Sequence, residues 1–227
     1  MICGNTKKVL IMNTIKKSNT RKTNDAVSPV IGVMLMLVVT IVIAAFVSMF
    51  AGTTFAGTEA APSTVLNVKI LSNGGSDGTQ DIMLIEHVGG SSIPSSDLKI
   101  TTYYTSTGTD RTVKRGEAIA QSMPSITVKD ATGANKKIVV PILSDVTAGS
   151  LGDSKINFGK YEFTSGSVAS TYNSAGTWTV LGFEKPTTAT KDTIIEQYGF
   201  TKGSKVTVNI IHTPSQAVLY NKEVVVQ

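Results

Sequence analysis

The sequence predicts an α+β chain: one long hydrophobic α-helix near the N-terminus followed by an all-β head. Three observations carry that prediction. Residues 26–58 hold no charged side chain, with Asp25 on one side and Glu59 on the other. A run of that length exceeds the roughly 20 residues that cross a bilayer as a helix. Ahead of it lies a basic leader. Behind it come many short β-branched segments separated by Gly, Ser, Thr, Asn and Pro clusters, with no sustained helical period. That pattern predicts antiparallel sheets packed as a β-sandwich.

The leader carries Lys7, Lys8, Lys16, Lys17, Arg21 and Lys22 against one acid, Asp25. Basic residues just before an apolar span hold that end in the cytoplasm, so the rest of the chain is exported. A secretory signal peptide has an apolar region of about 7–15 residues followed by a small-residue cleavage site. Here the apolar run is longer, and the small residue Ala26 precedes it. This inverted order predicts removal of the basic leader alone, with the hydrophobic segment retained. Met12 is an alternative start, in which case residues 1–11, including Cys3, are not made.

Ser28 is placed to cap the helix, and Pro29 stands at the first helical position, where the missing N–H costs nothing. The interior is rich in Val and Ile, mediocre helix formers in water. In lipid a helix is the only way one segment satisfies all its backbone groups. Small residues recur at Gly32, Ala44, Ala45, Ser48, Ala51 and Gly52, a set that lets helix backbones approach closely. The same set is also ordinary membrane-helix composition. Thr40 and Ser48 can return their hydroxyls to carbonyls one turn back.

The stretch Asn24-Asp25-Ala26-Val27-Ser28-Pro29-Val30-Ile31-Gly32-Val33, followed by the uncharged helix, resembles the N-terminal signature of the archaeal type IV pilin family, in particular its euryarchaeal and methanogen branch. The resemblance implies that a prepilin peptidase cuts between leader and helix. A preference for Ala or Gly before the cut points to the Ala26–Val27 bond, with Asp25–Ala26 as the alternative. The leader charge nearest that bond is Lys16, Lys17, Arg21 and Lys22; Thr23-Asn24-Asp25 then intervene. Unlike bacterial type IV pilins, no acidic residue stands near the start of the helix. The segments Ile85-Glu86-His87-Val88-Gly89-Gly90 and His212-Thr213-Pro214-Ser215 resemble the globular half of the same family. An immunoglobulin-like sandwich head is what this second resemblance implies. The expected organisation is a leader over 1–26, a membrane and filament-core helix over 27–57, and an extracellular head over 58–227.

The formal charge of +5 belongs mostly to the leader. Of 21 basic and 16 acidic residues, six and one precede Val27, which leaves 15 of each. A near-neutral remainder gives no basic stripe for nucleic acid. The single cysteine is Cys3, so the head relies on its hydrophobic core, not on disulfides.

In the head, strands are expected over 64–71, 81–88, 98–105, 125–129, 136–141, 156–163, 178–183, 205–212 and 217–226. Ser72-Asn73-Gly74-Gly75-Ser76-Asp77-Gly78 reads as a turn. His212-Thr213-Pro214-Ser215-Gln216 joins the last two strands into a hairpin. The segment Lys191–Tyr198 fits a short helix or a strand, and its period does not choose.

No catalytic constellation and no cofactor fingerprint emerges. His87 and His212 stand isolated near strand ends, where structural or surface roles are the common ones. The loop from Gly75 to Asp81 offers oxygen ligands but lacks the EF-hand spacing, and a polar hairpin loop accounts for it. Lys114, Arg115, Lys136 and Lys137 read as solvated faces, and Trp178 and Tyr103-Tyr104 as core or sheet-face residues. No Asn-x-Ser/Thr sequon is present.

The expected function is that of a structural pilus subunit, not an enzyme. It polymerises with copies of itself through the helix, packs at Gly32, Ala44, Ala45, Ser48 and Gly52, and serves surface adhesion. The family resemblance implies a prepilin peptidase, an assembly ATPase and a membrane platform protein as partners. The precursor sits in the membrane with its N-terminus cytoplasmic and then enters an extracellular filament. Two other readings stay open: an archaellin-type motility subunit, and an anchored extracellular binding protein that never polymerises.

Overall fold

The computed structural model describes residues 29–55, 60–74, 78–120, 122–123, 125–144, 149–184 and 186–227. The chain divides into two units that meet between Gly57 and Thr58. The first contains one described element, helix α1, Pro29–Phe55.

The second unit begins with an antiparallel hairpin of β1 (Thr64–Gly74) and β2 (Gln80–Gly90). After the short β3 (Ile93–Pro94) come β4 (Leu98–Thr105) and β5 (Val113–Ile119), again antiparallel. A second small hairpin, β6 (Ile126–Lys129) with β7 (Asn135–Ile138), precedes β8 (Ile142–Leu143). Then follow β9 (Glu162–Phe163), β10 (Val168–Ser170), and helices α2 (Ser174–Val180) and α3 (Lys191–Tyr198). The last pair is β11 (Lys205–His212) and β12 (Ala217–Val225).

Two four-stranded sheets result, ordered β1-β2-β10-β8 and β12-β11-β4-β5. Each inner face follows the two-residue period of a strand. Leu66, Val68 and Ile70 of β1 and Met83 and Ile85 of β2 are buried from one sheet. Leu98, Ile100 and Tyr104 of β4 and Val206, Val208 and Ile210 of β11 are buried from the other. A small apolar cavity of about 10 Å³ is lined by Leu66, Ile85 and Ala169 from the first sheet and Leu98, Ile100 and Ile210 from the second. The two inner faces therefore meet in one core. At one corner the sheets are tied by backbone: Gln227 N donates to Ile70 O at 2.9 Å, and Ser72 N donates to Gln227 O at 2.8 Å.

Two strand expectations are corrected. Residues 178–183 do not form a strand, because Trp178 lies within α2. The Asn173 side chain accepts from Gly176 N and starts this helix. Thr177 Oγ1 donates to Asp81 O at 2.7 Å, and Asp81 N donates to Ser174 Oγ at 2.8 Å. These bonds to the start of β2 outweigh the strand preference of Thr, Trp and Val. Residues 156–163 likewise are not one strand. A 3₁₀ turn over Ser154–Ile156 is capped by Asp153, and Gly159, at φ 85°, bends the chain before the two residues of β9.

Lys191–Tyr198 is a helix. Thr190 caps it, Ile194 and Tyr198 are its buried face, and Gly199 ends it in the left-handed conformation that glycine adopts without strain. Strand β5 was not foreseen, since Val113-Lys114-Arg115-Gly116-Glu117 shows no apolar alternation.

Candidate functional site

Helix α1 has 27 residues and no acidic or basic residue in its first or last turn. At about 1.5 Å per residue it is roughly 40 Å long, longer than the hydrocarbon layer of about 30 Å. Residues Val30–Met49 meet the length and composition of a membrane span, and none of these side chains is buried. Ordinary amphipathic helices bury one stripe and solvate the other. This one is apolar around its whole circumference. Thr40 Oγ1 donates to Leu37 O at 2.8 Å, so its hydroxyl is satisfied within the helix and adds no polar demand on the surroundings.

The helix places the small residues unequally. At about 100° per residue, Ala44, Ser48 and Gly52 fall within roughly 80° of one another, with Ala45 on the flank. Their spacing is small-xxx-small twice over. Gly32 lies roughly 160° from Ser48 and belongs to the opposite side. Of the other residues singled out in the sequence, Pro29 is the first helical residue. Ser28, the bond between Ala26 and Val27, and the leader residues Lys16, Lys17, Arg21 and Lys22 lie outside the described residues.

In the head, the singled-out residues do not converge on a reactive centre. His87 is buried, its Nε2 2.9 Å from Ser91 O and 3.0 Å from Thr64 Oγ1, with the ring edge-on to Phe163. His212 is buried as well, with Nδ1 2.7 Å from Ser215 Oγ. Lys114 is not a solvated face: its ammonium pairs with Asp110 at 2.6 Å and lies over the Tyr198 ring. That hydrogen bond holds the Asp110 carboxyl below its usual value and raises Lys114. Arg115 lies over Tyr103, and Lys136 is 3.8 Å from Asp130. Trp178 and Tyr104 are core residues, while Tyr103 is exposed. Among the described residues, no three His, Cys, Asp or Glu side chains are grouped so as to hold a metal ion.

Sequence reading missed a buried, paired carboxylate in the head. Asp81 is fully buried, and its Oδ2 accepts from Trp178 Nε1 at 3.1 Å while Oδ1 pairs with Lys191 Nζ at 2.9 Å. Only the placement of an acid at the start of an otherwise apolar strand hinted at it.

The uncharged helix is where comparison with known proteins is informative. Residues 25–66 match the archaeal type IV pilin N-terminal domain. The match spans all of α1 and ends at the third residue of β1. No curated protein and no solved structure matches the chain. The matched segment contains Val30–Met49, which has the length and composition of a membrane span.

Proposed function

We propose that the chain is a structural subunit of an archaeal type IV pilus. The observation that carries this reading is α1 itself: a pilin-matched helix, uncharged and apolar on every side. Exposing each Val, Leu, Ile, Phe or Met side chain to water forgoes about 1.5–3 kcal/mol. Such a rod therefore resides in lipid or in a sheath of similar rods.

The precursor sits in the membrane with Lys16, Lys17, Arg21 and Lys22 on the cytoplasmic side and the head outside. A prepilin peptidase cuts between Ala26 and Val27, leaving Ser28 and Pro29 at the helix start. An assembly ATPase and a membrane platform protein then lift subunits into the fibre. The helix exchanges lipid for sister helices, two apolar surroundings, so hydrophobic transfer opposes the step little. Cohesion comes from close backbone packing along Ala44, Ala45, Ser48 and Gly52. Gly32, on the other side, serves a second neighbour. Each subunit contacts the next by unlike surfaces, and a head-to-tail contact that does not close gives a filament.

The head is an immunoglobulin-like sandwich. Lettered in chain order, the strands of the two four-stranded sheets read A-B-E-D on one sheet and C′-C-F-G on the other, which supports this reading. The heads coat the fibre and present the adhesive surface. The test is mass spectrometry of material sheared from cells. A processed N-terminus at Val27 in fibres seen by electron microscopy is expected. The full leader on protein found only in the membrane fraction would overturn the reading.

A further inference from the structure

We propose that Lys191 and Asn73 join through a self-catalysed side-chain amide bond, with Asp81 as the proton carrier. Three groups meet at one point in the head. Lys191 Nζ is 2.5 Å from Asn73 Oδ1, 2.9 Å from Asp81 Oδ1 and 3.3 Å from Ser72 Oγ. The amine nitrogen thus lies against the carboxamide whose carbon it would attack.

The arrangement has the parts of an activated nucleophile: an attacking group, a base in contact with it, and a third group that orients the base. Asp81 is the base. It is fully buried, and Trp178 Nε1 holds Oδ2 so that Oδ1 faces the lysine. Its backbone is fixed by Ser174 and Thr177. Asn73 is held at the end of β1 with φ at 62°, next to Ser72, whose N–H is bonded to Gln227 O. Holding reactants this way converts a slow bimolecular aminolysis into a unimolecular one, worth many orders of magnitude in effective concentration.

The chemistry balances without a further reactant. Lys191 Nζ passes one proton to the Asp81 carboxylate, and its lone pair then attacks Asn73 Cγ. The Nζ–Cγ bond forms and the Cγ–Nδ2 bond breaks. The departing nitrogen takes protons from Nζ and from Asp81 and leaves as ammonium, which returns Asp81 to its carboxylate. Nothing is oxidised or reduced.

The product ties the end of β1, the first strand after α1, to the first residue of α3, 118 positions away. A head whose residues after Cys3 contain no cysteine would gain a covalent clamp between its first strand and the region leading into its last hairpin. The filament reading does not depend on this bond, and the test below does not require filaments.

Tryptic mapping of the detergent-extracted full chain decides the matter. Trypsin does not cut after an acylated lysine, so segment 70–99 should appear joined to segment 161–202, short by the mass of one ammonia. Lys191→Arg, which keeps the charge but removes the nucleophilic amine, should give segments 70–99 and 161–191 separately at full mass. In Asn73→Asp the linked product should instead be short by one water. Separate wild-type peptides 70–99 and 161–191 at full mass would overturn the proposal. Peptide 70–99 alone, short by one ammonia, would also overturn it, since that marks ring closure of Asn73 onto Gly74.

Discussion

Gly116→Ala tests whether α2 is seated on the sheet as closely as described. Gly116 lies on β5 opposite Thr102 of β4, and a Cβ built there would stand 1.7 Å from Val180 O and 2.5 Å from Thr102 Oγ1. No rotamer relieves the clash, because the nearer atom is backbone. The end of α2 must lift, and the 2.7 Å bond from Thr102 Oγ1 to Val180 O must stretch or break. Overpacking of this kind costs about 1–3 kcal/mol. A buried hydrogen bond lost with its partners left dry costs about another 1–3 kcal/mol. The expected loss is about 2–6 kcal/mol, a large share of the roughly 5–15 kcal/mol that holds a domain together. Trp178, the only tryptophan, is buried in the same helix, so its fluorescence reports the perturbed contact directly. In urea, at a mid-range slope of about 2 kcal/mol per molar, the midpoint should fall by roughly 1–3 M. Gly89→Ala, where nothing lies within 4 Å, is the control and should shift little. Equal midpoints for the two variants would refute the close seating of α2 against β5.

Three further outcomes are expected. Ala45→Arg places a charge inside α1 at a cost of roughly 2.5–3.5 kcal/mol at the centre of a membrane helix, so sheared filaments should contain far less of the variant; wild-type yield would argue against a packed helical core. Glu86 is held below its ordinary value of 4.5, first by the hydrogen bond from Lys69 and then by that from Asn67. Its contribution is complete above about pH 4.5 and is lost as pH falls through the lower folded value. Acid titration of Lys69→Met should therefore be shallower below pH 4.5 than that of wild type, and identical slopes would remove Lys69 as the cause. Thr101 Oγ1 is buried without a hydrogen-bond partner among the described residues. Thr101→Val keeps the shape and removes the dry hydroxyl, so thermal unfolding should show a gain of about 0.5–2 kcal/mol, whereas a loss would mean the hydroxyl has a partner.

Strands β1 and β11 were legible because they alternate apolar and polar residues, and β2, β4 and β12 because short apolar or β-branched runs end at turn signals; both are local properties. Helix α2 was not. Ser174-Ala175-Gly176-Thr177-Trp178-Thr179-Val180 has the composition of a strand, and only its bonds to Asp81, more than 90 positions earlier, make it a helix. Strand β5 was hidden for the opposite reason. Lys114, Arg115 and Glu117 carry charge and Gly116 interrupts the pattern, and that same glycine is what admits α2.

For α1 the sequence was sufficient. Its span, its freedom from charge and the basic leader before it are properties of consecutive residues, and the physics of a bilayer acts on consecutive residues. The phase of Gly32 against Ala44, Ser48 and Gly52 also follows from helical geometry alone. What tertiary structure alone decided is the meeting of Asp81, Lys191 and Asn73 on β2, α3 and β1. No local pattern encodes that meeting, because burial of Asp81 and its contact with an amine arise only when segments distant in sequence close around it.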